Sequence, residues 1–171
     1  MSQRSILSSG KTGWALFLGI AALISVLDQL SKNLVLTYLP VGEAWNPIPF
    51  LKPFVTVTHV TNTGAAFGLF RDKGTVFAVI AVLVVVGMVV FYRYLPPNSV
   101  LVRVSLGLQL GGAVGNLLDR VRLGTVVDFV DFKFWPVFNL ADTAIVCGVA
   151  MLAFHLLFSE QESREKVEGT N

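Results

Sequence analysis

Asp128 and Asp142 carry the strongest chemical suggestion in this sequence. They stand 14 residues apart, which on one continuous helix would separate them by about 21 Å along the axis. They can meet only if the chain folds back between them. The stretch Phe132-Lys133-Phe134-Trp135-Pro136, aromatic and closed by a proline, suits such a reversal. Two carboxyl groups brought close in a low-dielectric site do not both ionise easily, so one keeps a proton. The ionised partner can take a proton from water while the protonated one polarises a carbonyl. That is the chemistry of aspartic peptide hydrolysis, and its titration belongs to the pair. Asp131 competes with Asp128 for this part, and a lone Asp at such a place can equally be a helix cap or a solvated loop residue.

Further polar groups gather near these acids. The apolar, glycine-rich run that begins at Gly111 ends in Asn116, Asp119 and Arg120, and the next apolar run opens with Asn139 and Asp142. Carboxylates with an Arg and two Asn at the edge of a membrane are a functional-site hypothesis by default. Asp119 is expected to cap or pair near Arg120. Asp28 and Lys32, four apart on one helix face, read as an ordering ion pair. Other chemistries fit poorly. Ser31-Lys32 invites a Ser-Lys hydrolase, but adjacent helix residues point in different directions. His59 reads as a surface residue and His155 as packing or interfacial. Cys147, the single cysteine, reads as a small packing residue, and no Cys/His spacing suggests zinc. No metal or organic cofactor is needed.

The elements that must position these residues are membrane spans. The chain is 54% hydrophobic and 14% charged, with mean hydropathy +0.69, where soluble domains carry about 25% charged residues. A net charge of +2 without a basic, aromatic-rich patch excludes nucleic acid as a partner. The pattern predicts an all-α membrane protein, one domain over residues 1–171, with spans at about 14–36, 75–92, 100–118 and 137–158. A cleavable signal peptide is disfavoured because helical character continues past the first apolar run to Leu36. Four prolines break residues 37–73, where Val55-Thr56-Val57-Thr58-His59-Val60-Thr61 reads as a strand and Asn62-Thr63-Gly64 as a turn. A small sheet on the membrane surface is expected there, with Ala65-Ala66-Phe67-Gly68 close to another surface. Gly107, Gly111 and Gly115 recur every four residues, a face that lets another helix approach closely. The charged tail, 160–171, is expected to be flexible.

Four spans put both termini on one side. Asp28, Lys32, Asn62, Asn116, Asp119, Arg120, Asp128 and Asp142 then all fall on the other. Lys and Arg are nearly balanced between the sides, so the positive-inside rule does not orient the chain. A proton-coupled transporter using the same carboxylates as a relay is the rival reading, and an assembly protein using its glycine face is a third. A relay needs polar steps on both sides, and here they collect at one.

At these residues the sequence resembles a known family. Asp28-Gln29-Leu30-Ser31-Lys32, the stretch from Asn62 to Gly68, the run from Gly111 to Arg120, Val126-Val127-Asp128-Phe129 and Phe138-Asn139-Leu140-Ala141-Asp142 look like the ordered signature blocks of bacterial lipoprotein signal peptidase, signal peptidase II. The resemblance covers about residues 14–158. It implies a membrane aspartic endopeptidase with Asp128 and Asp142 as the catalytic pair, and it prefers Asp128 to Asp131. It implies that Asn62, Asn116, Arg120 and Asn139 line the site, with Asp28, Lys32, Gly64 and Asp119 in support. The implied substrates are prolipoproteins whose cysteine carries diacylglyceryl, cut on the amino side of that cysteine. Cytoplasmic termini, an active site at the outer face of the bacterial inner membrane, and sensitivity to globomycin follow from the same resemblance. Lipoprotein substrates and membrane lipids are the expected partners of a monomer.

Overall fold

The computed structural model describes residues 3–64, 74–94 and 99–168, with side chains from residue 12 to residue 158. Four helices are long and apolar enough to cross a membrane: α1 (Gln3–Tyr38), α2 (Gly74–Tyr92), α3 (Val100–Leu123) and α4 (Leu140–Glu168). The stretch at 65–68, expected close to another surface, lies outside the described residues. The strands β1 (Ala44–Trp45), β2 (Thr56–Asn62) and β3 (Val126–Asp131) form one antiparallel sheet in the order β1-β2-β3.

Each helix boundary has a local cause. Ser99 caps α3 by accepting the Val102 N–H at 3.3 Å. At the other end Gly124 takes φ 76° and donates its N–H to Arg120 O, with Arg120 and Arg122 in the last turn. That is a left-handed glycine cap with cations where the helix dipole favours them, so α3 runs on to Leu123 instead of stopping near residue 118. Helix α4 begins at Leu140, later than the expected 137, because Phe138 is still paired to β3: its N–H reaches Val130 O at 3.1 Å and its carbonyl accepts from Val130 N at 2.8 Å. The helix then continues to Glu168, into the charged stretch expected to be flexible.

The polar connection expected around Asp128 is a strand. β3 pairs with β2 through Thr56 with Asp131, Val60 with Asp128 and Asn62 with Val126, with a bulge between Val57 and Val60. Val126-Val127-Asp128 is buried in succession, so this end of the strand lacks the alternation of buried and exposed residues, and Asp128 is buried with its two valine neighbours. The sheet also corrects the reading of His59. It is 3% exposed, and its Nδ1 meets Leu39 O at 2.7 Å. Cys147 corrects the other way: it is exposed on α4, on a span where the surrounding solvent is lipid.

α1, α3 and α4 form the bundle that holds the site. The glycine face of α3 lies against α1. A Cβ on Gly111 would stand 2.7 Å from Ala21 O, and one on Gly115 2.5 Å from Asp28 Oδ2. These contacts let two backbones approach closely and bring Asp28 to α3. At the other end of the bundle Phe17 stacks on Tyr92 at 4.1 Å, and Tyr92 donates its hydroxyl to Gly13 O at 2.7 Å. Apart from Tyr92, no residue of α2 is buried, as suits a helix apolar all round that faces lipid.

Candidate active site

Three neighbouring features converge on one cavity of about 650 Å³: the end of α3, the strand β3 and the first turn of α4. Asn62, Asn116, Arg120, Asp128 and Asp142 all line it, with Val126, Phe138 and Ile145 as apolar wall. The sequence brings Asp142 here through a capping arrangement. Asn139 precedes α4, and its Oδ1 accepts the Asp142 N–H at 2.9 Å. Asp142 Oδ2 reaches back to the Asn139 N–H at 3.4 Å. This is a capping box with Asp in the place usually taken by Glu or Gln.

The same Asn139 ties the two acids together. Its Nδ2 donates to Asp128 Oδ1 at 2.7 Å and to Asn116 Oδ1 at 3.1 Å. Asn116 Nδ2 donates to Asp142 Oδ1 at 2.7 Å. Asn62 Nδ2 donates to Asp128 Oδ2 at 3.0 Å, while Asn62 Oδ1 accepts the Gly64 N–H at 3.0 Å and so closes the turn after β2. Asp128 is 2% exposed. Burial pushes its carboxyl up to about 6, the Asp142 charge adds to the rise, and hydrogen bonds from Asn62 and Asn139 partly offset it.

Behind this cavity lies a second cluster. Lys32 is 1% exposed, and its Nζ meets Asp28 Oδ2 at 2.8 Å, Asp119 Oδ2 at 2.9 Å and Asn116 Oδ1 at 2.9 Å. All three ammonium hydrogens thus have an acceptor. Asp28 Oδ1 accepts the Ala141 N–H at 2.9 Å, tying α1 to the start of α4. Asp119 accepts from Gln29 Nε2 at 2.8 Å and from the Val127 N–H at 3.1 Å. Asp119, expected to cap or pair near Arg120, meets Lys32 instead. The Arg120 guanidinium instead donates to Asn116 O at 3.3 Å and lies 5.8 Å from the Phe77 ring centroid.

The structure separates the competing acids. Asp131 meets Lys133 Nζ at 2.6 Å and Thr58 Oγ1 at 2.8 Å. Burial would raise its carboxyl, but these hydrogen bonds and the Lys133 charge outweigh it and hold it below the usual range. Ser31 donates to Asp28 O at 2.8 Å, while Lys32 is committed to carboxylates, so no Ser-Lys pair forms. His155 lies beside Ser99, at 3.4 Å, at the end of the bundle away from this cavity. Among the described residues no three His, Cys, Asp or Glu side chains are grouped to hold a metal. Gln29, which links Asp28, the Gly115 carbonyl and Asp119, had no role in the sequence reading. Its only signal is its place beside Asp28 in the polar end of α1.

Comparison with known proteins bears on this arrangement. Residues 20–158 match the family model of signal peptidase (SPase) II. The lipoprotein signal peptidase of Moorella thermoacetica is 49% identical over 146 residues, 85% of this chain and 95% of that protein. That of Pelotomaculum thermopropionicum is 44% identical over 147 residues, 86% and 95% of the two chains. A solved bacterial membrane enzyme, determined by the in meso method at 2.3 Å resolution, superposes with a TM-score of 0.78 at 31% identity, over 85% of this chain and 90% of that one.

Proposed function

Since this chain belongs to the signal peptidase II family, a family of bacterial membrane peptidases, we propose that it removes the signal peptide from diacylglyceryl-modified prolipoproteins with Asp128 and Asp142 as an aspartic dyad. The carrying observation is that both carboxyl groups line one cavity, are bound to the same Asn139, and meet amide donors instead of a cation. One of the pair is ionised and takes a proton from water. The water oxygen attacks the scissile carbonyl carbon, and the protonated carboxyl gives its proton to the carbonyl oxygen. The tetrahedral species then collapses. A hydroxyl proton of that species returns to the second carboxyl, the C–N bond breaks, and the proton taken from water passes to the leaving amine of the lipidated cysteine, so the pair again holds one proton.

The other site residues support this chemistry. Asn62 and Asn139 orient Asp128, and Asn116 orients Asp142. Arg120 stays charged in a partly buried place and can hold a peptide carbonyl or the developing oxyanion. β1 and the residues just before it cover β2 from Val57 to His59, while Val60, Thr61 and Asn62 line the cavity. An extended peptide can add along that part of the β2 edge. A substrate anchored by lipid and by an apolar signal helix cannot leave the bilayer, so the catalyst must stand at the interface where water is available. We place this interface at the outer face of the inner membrane, with the termini in the cytoplasm and the monomer as the working unit.

The test is cleavage of a lipid-modified precursor by the wild type, Asp128→Asn and Asp142→Asn, each reconstituted in vesicles. Both variants should fold and neither should release signal peptide. Turnover retained by Asp142→Asn would end the dyad assignment. Ion flux without proteolysis would favour the transporter.

A further inference from the structure

A second cavity, of about 410 Å³, lies where the end of α1 meets the sheet, lined by Leu34, Val35, Tyr38, Leu39, Trp45 and Val57. It shares no lining residue with the catalytic cavity. Its size falls within the range of about 300–1,000 Å³ usual for small-molecule sites. Only Tyr38 and Trp45 bring polar atoms among the side chains of its wall.

The surroundings of this cavity indicate its occupant. Leu23, Leu27, Leu30 and Leu34 are all exposed and follow one another at three- and four-residue steps, so they form one stripe along α1. α1 is a candidate membrane span, and the stripe therefore faces lipid and ends in the cavity at Leu34 and Tyr38. Tyr38 and Trp45 stand exposed at its rim, at 78% and 59%. Exposed Tyr and Trp at the end of a span suit the headgroup level of a bilayer. The wall is also built to persist. Leu39 is tied to His59 Nδ1, and the connection after it is tied to β2 by the Gly42 N–H to His59 O at 2.8 Å and the His59 N–H to Glu43 O at 3.0 Å. Trp45 and Val57 are direct partners across the β1–β2 pair.

We infer that this cavity is a lipid site, taking one acyl chain of a bilayer phospholipid between α1 and the sheet with its headgroup at Tyr38 and Trp45. The bound lipid couples the sheet to the membrane surface at its β1 edge, opposite the β3 edge that carries Asp128. It is a resident of the bilayer and not the lipid of the substrate, because the cavity continues the lipid-facing stripe and is separate from the dyad. This inference rests on the spans and does not depend on the protease reading.

The test uses the full chain with Trp45 as its sole tryptophan (Trp14→Phe and Trp135→Phe), reconstituted in phosphatidylcholine vesicles with or without bromine atoms at mid-chain. Brominated lipid should quench Trp45 emission by about half or more. Narrowing the cavity with Val57→Phe, or with Leu34→Phe at the more exposed wall, should restore most of that emission. Absent quenching, or quenching unchanged in whichever of the two variants folds, overturns the site. A raised KM for a diacylglyceryl-cysteine peptide in those variants, with quenching unchanged, would assign the cavity to substrate and equally overturn it.

Discussion

Asp28 and Asp119 meet Lys32 at 2.8 and 2.9 Å, whereas Asp128 and Asp142 meet amide groups from Asn62, Asn116 and Asn139. The two pairs of acids stand at the same end of the same bundle and use the same side chain. In the first a buried cation lies between the carboxylates, and backbone N–H groups of α4 and β3 add to it, Ala141 N–H on Asp28 Oδ1 and Val127 N–H on Asp119 Oδ2. In the second the space that a cation could fill is a cavity, and Asp128 is pushed up to about 6 by burial. On the proposed reading the carboxylates held by an ammonium are structural, while the pair beside the cavity is the one that reacts. Asn116 joins the two regions, accepting from Lys32 and donating to Asp142.

The comparison breaks first at the dyad. Asp128→Asn or Asp142→Asn should lower kcat/KM for precursor cleavage by at least about 10²–10⁴-fold, the usual contribution of one general acid or base, with the helical circular dichroism unchanged. Loss of activity in Asp28→Asn as deep as in the dyad variants, in a folded protein, would erase the distinction drawn here.

The next largest effect belongs to the cation. Lys32→Met leaves two buried acids without their partner and should cost about 3–5 kcal/mol of stability, read as earlier unfolding in detergent. Adding Asp28→Asn and Asp119→Asn to Lys32→Met should recover much of that loss, because the whole ion cluster is then removed. No such compensation should appear when the dyad acids are neutralised in its place.

A pH profile sharpens the same contrast. Asp128 keeps its proton below about 6 and loses it above, so a mechanism that needs one protonated carboxyl slows as pH rises through that value. The rate kcat/KM should show this alkaline fall in the free enzyme, and the apparent midpoint is a property of the pair. A smaller effect is expected at the helix contact behind the network. Gly115→Ala would set a Cβ 2.5 Å from Asp28 Oδ2 and should cost about 1–3 kcal/mol, as overpacking does. Least of all, Arg122→Gln, which removes an exposed 3.0 Å hydrogen bond to Gln29 Oε1, should change stability by no more than about 0.5 kcal/mol.

Much of this architecture was legible before folding. The four spans follow from uninterrupted apolar runs, and the close face of Gly107, Gly111 and Gly115 follows from their spacing. Its partner helix was not named by that spacing and proved to be α1, through Phe17, Ala21 and Asp28. The strand β3 was read as a connection because its pairing with β2 lies some 70 residues away, as for Thr58 with Asp131. His59 read as exposed because a strand's burial depends on what covers it, here Leu39 and the chain after α1. Gln29 passed unnoticed because its partners, Gly115 and Asp119, are on another helix. Apart from the family resemblance, spacing leaves Asp131 level with Asp128, and the contacts with Lys133 and Thr58 are what distinguish it.

The amino-acid order by itself determined the membrane class, the number of spans and the end of the bundle at which polar groups must gather, since hydropathy and charge placement are written along the chain. Tertiary structure alone decided that Asp119 joins Asp28 on the Lys32 cation and that Asp128 and Asp142 share a cavity. Those contacts reach across the chain: Lys32 meets Asp119 on α3, Asn116 meets Asp142 across 26 positions, and Asn62 meets Asp128 across 66. Whether a carboxylate is quiet or reactive depends on the groups within a few ångströms, and only the folded chain sets those distances.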